Sequence, residues 1–252
     1  MYHSVVQESL IVSFDGGSDN GHFNIYLGNK GQEPQLIHQS EKDLCVPYAA
    51  LGHYMGDIER ERDWWFGNLT YAGKAMGLSS YGKRDDEIFG YVARLYDMSN
   101  SNEVDKAHQN WAEMFCGCHQ KDQKSKDLAY ANQYMFEKNF ADIVLPFIFK
   151  YPDREIQFAG GGAMNILNNT TYKAFVSPNS DDRGIALGCL LSLIKPFNSV
   201  DSTYLGSEPY DDMPKGKNIG VNEVSQMLSQ DKIIGLIPVS YTHLTLPTIY
   251  SV

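Results

Sequence analysis

The sequence predicts an α/β fold in which a mixed β-sheet is flanked by helices. Three short β-rich runs separated by turn residues come first, before any helical pattern. Later in the chain, helical and strand patterns alternate, which suggests a mixed sheet with helices on its faces. The chain has 252 residues, of which 42% are hydrophobic and 21% charged, and this composition suits one or two globular domains.

The opening β-rich runs predict a three-stranded meander. Leu10 to Phe14 ends at the turn Asp15-Gly16-Gly17, a second run covers residues 22–27, and residues 35–38 form a third. Apolar residues then recur at spacings of three and four from Pro47 to about Arg62, which indicates an amphipathic helix.

The middle of the chain is predicted to be helical. Residues 83–125 are polar and read as a helical insert, with short helices around 89–96 and 103–115. Residues 127–149 carry a broad apolar stripe, and we expect Pro146 to kink or shorten this long helix.

A strand at 155–159, a Gly160-Gly161-Gly162 turn and a short helix at 163–168 follow, then a strand at 172–176 and a helix at 184–193. This order of elements is that of a ribonuclease H-like lobe.

We assign residues 1–200 to this lobe and 201–238 to a connection and the start of a second domain, with a helix and then a strand in 221–237. Residues 239–252 have no charge and no amphipathic pattern, so we expect a non-native tail there.

The charge balance excludes several classes of partner. A net charge of −10, with no basic patch, argues against binding of nucleic acid or anionic lipid. The chain shows no apolar run of membrane-spanning length and no signal peptide, so we expect a cytoplasmic protein without membrane contact. Four scattered cysteines favour reduced thiols.

Three glycine-containing turns could bind a ligand. Asp15-Gly16-Gly17 places a carboxylate at a strand end beside backbone that can approach a phosphate, although it could also be only a hairpin turn. Gly160-Gly161-Gly162 suits a nucleotide at a helix start or simply tight packing. Asp181 to Gly184 could be no more than a helix cap. Residues 116–119, Cys-Gly-Cys-His, lack a second ligand pair for zinc, and no catalytic triad is recognisable.

The order of these motifs carries a resemblance. Asp15-Gly16-Gly17, then residues 73–82 (GKAMGLSSYG), residues 160–165 (GGGAMN) and residues 182–188 (DRGIALG), together resemble the NodU/CmcH carbamoyltransferase family. The resemblance covers about residues 9–237, and it implies an actin-like ATPase fold, the superfamily of sugar kinases, Hsp70 and actin.

The resemblance also implies an activity. Members of this family move a carbamoyl group from carbamoyl phosphate to a hydroxyl of a sugar or other small metabolite, with ATP and through a carbamoyl-adenylate. A divalent metal ion, iron or magnesium, takes part. No catalytic residue is identified.

By the same match, the metal ligands would be Asp15 and Asp182. The nucleotide-binding residues would be Gly16, Gly17, Lys74, Gly160, Gly161, Gly162 and Asn165.

Two family features are missing from the sequence. The family has a histidine pair upstream of the Asp-Gly loop and a Gly-Pro-Arg-Ala-Leu-Gly segment that begins a YrdC-like carboxy-terminal domain, and neither is present. We therefore expect a fragment without the first lobe and the YrdC-like domain, with weak nucleotide binding and no turnover alone. The alternatives are a sugar or acid kinase, a tRNA threonylcarbamoyl transferase, and an inactive fragment.

Overall fold

The computed structural model describes residues 7–17, 21–58, 64–97, 118, 120–195 and 220–230, with side chains left out at 64–70 and 228. The chain divides into two compact units, residues 1–200 and 201–252. In the second unit the described residues form one helix, Val221–Leu228. Within the described ranges no helix is long and apolar enough to cross a membrane. The helix predicted at 103–115, the strand after residue 230 and the tail at 239–252 lie outside the described residues.

The first unit is built on a five-stranded mixed sheet, as the sequence predicts. The strands are β1 (Glu8–Phe14), β2 (Phe23–Asn29), β3 (Gln35–Ser40), β4 (Glu155–Ala159) and β5 (Phe175–Val176). Their order is β3-β2-β1-β4-β5. The first three strands pair antiparallel, as a meander, whereas β4 lies parallel to both β1 and β5. The predicted α/β fold with a mixed sheet is therefore confirmed.

Helices fill the connections between the strands. Those of the first unit are α1 (Cys45–Leu51), α2 (Trp64–Ser79), α3 (Asp86–Asp97), α4 (Gln123–Lys150), α5 (Ile166–Tyr172) and α6 (Ile185–Ile194). The helix of the second unit, Val221–Leu228, is α7.

An aromatic core joins α4 to the sheet. The ring of Phe140 lies 4.9 Å from that of Phe14 on β1 and 5.1 Å from that of Phe158 on β4. All three side chains are buried, and Phe23 of β2 extends the cluster. Because the same helix packs against both β1 and β4, the loops that follow these strands are held in fixed positions relative to each other.

The helix predicted over residues 47–62 is shorter in the structure. It ends at Leu51, continues as a 3₁₀ turn at Gly52–Tyr54 and becomes extended at Met55. At Gly52 a Cβ atom would lie 2.6 Å from the Cβ of Tyr71, so α2 crosses close to the chain at this point. Tertiary packing therefore ends the helix before its apolar pattern ends.

Helix α2 is missing from the sequence prediction, which assigned no element to residues 64–79. Its inward face is formed by Tyr71, Ala75 and Ser79, at intervals of four residues, and all three are buried. Small and polar residues give a weak hydrophobic pattern, and glycines lower the helix propensity further, so burial rather than propensity specifies this helix.

The structure bears on two further expectations, the shortening of the long helix at Pro146 and the length of the strand at 172–176. Pro146 does not shorten α4, which runs through it to Lys150. Because proline has no N–H, Pro146 cannot donate the helical hydrogen bond to the Asp142 carbonyl. Both residues are exposed, so water can bind that carbonyl instead. The strand predicted at 172–176 is only Phe175–Val176, because α5 extends to Tyr172.

Candidate functional site

The candidate site lies where β1 and β4 end. These strands are parallel neighbours, so the loops after them leave the sheet at the same edge. Asp15 directly follows β1, and its Oδ2 accepts a hydrogen bond from the main-chain N–H of Gly161 at 2.6 Å. Its Oδ1 accepts from the N–H of Gly16 at 2.7 Å. Two motifs that are 146 positions apart along the sequence are thus in direct contact.

The triple-glycine turn needs glycine at its ends. Gly160 has φ of 88°, and a Cβ atom there would lie 2.2 Å from the carbonyl oxygen of Phe14. At Gly162 a Cβ atom would lie 2.3 Å from the Phe14 ring. Gly161 is less crowded, with the Asp15 carboxylate oxygens 3.1 Å and 3.2 Å from the position of a Cβ atom. The turn is therefore pressed against the end of β1, as the tight-packing interpretation predicts, and it also holds the carboxylate of Asp15.

A third loop, which follows β5, also contacts the glycine turn. The N–H of Gly160 donates to the carbonyl of Ser180 at 2.7 Å, two residues before Asp182. Asp182 opens a 3₁₀ turn, Asp182–Gly184, that leads directly into α6, and its side chain is exposed. The structure thus brings Asp15, the glycine turn and the loop that carries Asp182 to one edge of the sheet.

The helix-cap interpretation of this loop applies to Asp181 rather than to Asp182. The Asp181 carboxylate accepts from the main-chain N–H of Arg183 at 3.2 Å and from the Arg183 Nε at 2.8 Å. The hydrogen bond from the Arg183 side chain lowers the pKa of Asp181. Because Asp181 makes these hydrogen bonds with Arg183, the carboxylate of Asp182 takes no part in the cap.

A second carboxylate, which the sequence did not single out, lies beside Asp15. Asp43 is buried, and its Oδ1 accepts from the N–H groups of Cys45 and Val46 at the start of α1, at 2.8 Å and 3.0 Å. Its Oδ2 lies 3.8 Å from the His22 Nδ1, and neither atom has a hydrogen-bond partner among the described residues. Its place just before a helix was the available signal, but that pattern is typical of an ordinary cap.

Burial and neighbouring charges shift the pKa values of two groups in this corner. Burial raises the pKa of Asp43, its main-chain hydrogen bonds and His22 oppose the rise, and the charge of Asp15 adds to it. Burial also raises the pKa of the Cys45 thiol, and the charges of Asp43 and Asp15 raise it further. Burial opposes a charge of either sign, so only the contribution of the neighbouring carboxylates, which makes additional negative charge unfavourable here, would favour a positive ion.

Asn165 lies at the end of the glycine turn and is buried. Its main-chain N–H donates to the carbonyl of Gly162, and its Oδ1 accepts from the N–H of Asn168, which caps α5. Its side chain also pairs with Gln133 of α4. The residue therefore joins the turn to two helices.

Lys74 lies on the exposed face of α2, in a groove of about 380 Å³ that is also lined by Asp57 and Tyr81. Neither the Asp15 loop nor the glycine turn lines this groove.

Within the same motif, Gly82 has a packing role. A Cβ atom there would lie 2.1 Å from the carbonyl oxygen of Lys126, and the next residue, Lys83, donates its N–H to Asp127 at 2.8 Å. Part of the most specific motif therefore fixes the loop after α2 against α4.

Asp15 and Asp182 are suited to a hard cation by residue type. Each Asp15 oxygen accepts one hydrogen bond and so retains a lone pair for an ion. No group of three or more His, Cys, Asp or Glu side chains that could hold a metal ion occurs in the described part of the chain. These two aspartates would thus supply only part of a ligand set.

Comparison with known proteins gives two matches. The profile of a family described as carbamoyltransferase N-terminus matches residues 4–191. An uncharacterised protein of Methanocaldococcus jannaschii is 29% identical over 217 residues, which cover 80% of this chain and 40% of that protein. The chain thus spans about two fifths of the length of the curated relative that it matches.

Proposed function

The chain belongs to the carbamoyltransferase N-terminus family, and we propose that it forms the nucleotide- and metal-binding lobe of an O-carbamoyltransferase. The reaction would move a carbamoyl group from carbamoyl phosphate to a hydroxyl of a sugar or other small metabolite. ATP would be consumed and a carbamoyl-adenylate formed on the way. The first lobe and the YrdC-like domain would be the partners that complete the enzyme.

The observation that carries the proposal is the hydrogen bond between Asp15 and the glycine turn at the carboxyl edge of β1 and β4. In open α/β sheets, ligands bind outside the carboxyl ends of parallel strands. The strand order β3-β2-β1-β4-β5, with an antiparallel meander followed by parallel strands, supports a ribonuclease H-like lobe of the actin-like ATPase superfamily. In that superfamily the nucleotide lies between two lobes.

Each loop would contribute one part of the site. Gly16 and Gly17 would face the phosphates, and the turn at 160–162, with Asn165 at its end, would form the adenosine side. Lys74 would support the nucleotide from α2.

Asp15 and Asp182 would hold iron or magnesium, and the buried charge of Asp43 would add to the attraction. When bound, the cation would balance phosphate charge and polarise the carbamoyl carbonyl.

Isothermal titration of the chain with ATP and Mg²⁺, and separately with carbamoyl phosphate, tests the proposal. We expect Mg²⁺-dependent ATP binding that falls by about tenfold in Asp15→Asn, since the substitution removes one charge and the acceptor of one hydrogen bond. Asp142→Asn, at an exposed carboxylate of α4 paired with Lys138, is the matched control and should bind as the wild type does.

The outcomes separate the alternatives. ATP hydrolysis or phosphorylation of a sugar without carbamoyl phosphate would favour a kinase. Carbamoylation of tRNA rather than of a small hydroxyl compound would favour a threonylcarbamoyl transferase. A chain that binds neither ATP nor carbamoyl phosphate would contradict the proposal and leave an inactive fragment.

A further inference from the structure

Three buried side chains form a closed hydrogen-bonded group behind the glycine turn. They are Tyr48 of α1, Gln133 of α4 and Asn165, and we call them the amide triad. All three are at most 7% exposed. Because a buried polar group without a partner is destabilising, the partners of each atom determine what the triad can still bind.

Gln133 is fully satisfied. Its Oε1 accepts from the Tyr48 hydroxyl at 2.6 Å and from the Asn165 Nδ2 at 3.0 Å. Its Nε2 donates to the Glu137 carboxylate at 2.6 Å and to the Asn165 Oδ1 at 3.1 Å. A side-chain amide has two donor hydrogens and two acceptor positions, and all four are used.

Asn165 is held by the same group. Its Oδ1 accepts from the Asn168 N–H at 3.1 Å as well as from Gln133, which fixes the orientation of the amide. Its Nδ2 donates to Gln133 at 3.0 Å, and the amide lies close enough to the Tyr48 phenol to lower the pKa of that phenol. Burial raises the pKa of Tyr48 and the charge of Glu137 raises it further, so the phenol keeps the proton that it donates to Gln133. Both acceptor positions of the Asn165 Oδ1 are therefore used, and its Nδ2 is engaged with Gln133 rather than with a ligand.

We infer that Asn165 is a positioning residue whose side chain, through the amide triad, holds the glycine turn in its nucleotide-binding shape without touching the nucleotide. The inference rests on the proposed function and replaces a direct contact between the Asn165 side chain and adenosine. The main-chain N–H of Asn165 holds the Gly162 carbonyl, while Gln133 and Tyr48 anchor the side chain from two different helices. The Gly162 N–H also interacts with Cys45 at the start of α1, so α1 supports the turn twice.

Direct contact and positioning predict different sets of sensitive residues. If Asn165 bound adenosine directly, Tyr48 and Gln133 could be changed with Asn165 still in place and with little effect. If it acts through the triad, loss of any one member should release the turn. The members should then behave as one unit, so their effects should not add.

The experiment measures the affinity of the full chain for ATP and for inorganic tripolyphosphate, each with Mg²⁺, under conditions in which every variant is folded. The variants are Tyr48→Phe, Gln133→Met, Asn165→Ser and the double variant Gln133→Met with Asn165→Ser. Serine retains an oxygen that can cap α5. The matched control is Tyr96→Phe, which removes another buried hydroxyl that donates to an α4 amide, that of Asn132, outside the triad.

We expect each single triad variant to weaken ATP binding by about fivefold to tenfold, the size of one misplaced hydrogen bond. Tripolyphosphate binding should fall less than ATP binding, with some loss because the turn also holds the Asp15 carboxylate. The double variant should bind ATP no more weakly than Asn165→Ser alone, and Tyr96→Phe should match the wild type. The ratio of the two affinities isolates the adenosine side, which a general loss of stability would not change.

Two outcomes would overturn the inference. A loss of ATP affinity confined to Asn165→Ser, with Tyr48→Phe and Gln133→Met at the wild-type value, would restore the direct contact and leave the proposed function intact. A wild-type chain that binds neither ATP nor tripolyphosphate would refute the proposed function, and the inference with it.

Discussion

Replacement of Gly160 by alanine should destabilise the protein more than any other single change in the site loops. The residue has φ of 88° and ψ of 169°, a region that is essentially restricted to glycine and costs other residues about 1–3 kcal/mol. The added Cβ would lie 2.2 Å from the Phe14 carbonyl oxygen, which is main chain and cannot rotate away. Relief of this overlap costs about 1–3 kcal/mol more.

The two contributions together lower the free energy of unfolding by roughly 2–6 kcal/mol, against a usual total of roughly 5–15 kcal/mol. For a unit of this size the melting temperature should fall by about 5–20 °C. Thermal unfolding followed by far-ultraviolet circular dichroism, and urea unfolding followed by tryptophan fluorescence, measure the change.

Gly77→Ala is the matched control, since it makes the same chemical change in an exposed position of α2. No atom outside its own helix lies within 4 Å of the position of a Cβ atom at Gly77. Alanine is the better helix former, so this variant should gain about 0.5–1 kcal/mol. Stability of Gly160→Ala within about 0.5 kcal/mol of the wild type would refute the reasoning. So would an equal loss in both variants, because it would not depend on backbone conformation.

Three further predictions concern the core, the buried carboxylate and the surface. Phe140→Ala should lower the free energy of unfolding by about 3–5 kcal/mol, because the Phe140 ring packs between Phe14 and Phe158. A urea midpoint equal to that of the wild type would contradict this prediction. The Asp43→Asn variant retains an oxygen that can cap the helix. Because the pKa of Asp43 is raised, the folded wild type binds this proton more tightly than the unfolded chain does. The wild type should therefore lose stability relative to the variant as the pH rises from below 3.8 through the raised pKa. A stability difference between these two proteins that is the same at about pH 3 and about pH 7 would be evidence against that linkage. Leu193 is 84% exposed on the apolar helix α6, so we expect the chain to self-associate through this surface. Leu193→Lys should then reduce self-association measured by light scattering, with little change in stability, and undiminished association would exclude this surface as its cause.

The strands and the glycine turns could be predicted from the sequence because their signals are local. Runs of β-branched and aromatic residues bounded by glycine identify β1 and β2 within a few residues of their ends. The triple glycine likewise predicted a turn after β4, and the structure gives the reason in the left-handed φ of Gly160. The amphipathic part of α4 was recognisable because its stripe persists over many turns.

Helix α2 and the early end of α1 could not be predicted, because neither is specified by a local pattern. The buried face of α2 consists of Tyr71, Ala75 and Ser79, which carry almost no hydrophobic periodicity. Helix α1 ends where Gly52 meets Tyr71, a contact between residues that are nineteen positions apart in the sequence. In both cases the structure depends on which residues pack together, and local helix propensity does not predict those contacts.

For the candidate site, the sequence by itself determined which types of residue are present in its loops. It supplied a carboxylate at a strand end, glycines that permit close approach of the backbone, and an acidic loop before a helix. These properties depend only on single residues and their immediate neighbours, so they can be recognised without knowledge of the fold.

Only the tertiary structure decided which of these groups meet. Parallel pairing of β1 and β4 puts Asp15 against Gly161, and the loop after β5 brings Ser180 against Gly160. The same packing buries Asp43 beside Asp15 and closes the triad of Tyr48, Gln133 and Asn165. A hydrogen bond or a charge interaction acts over a few ångströms in space regardless of sequence separation, so the partners of these side chains are set by the packing of the strands and helices that carry them.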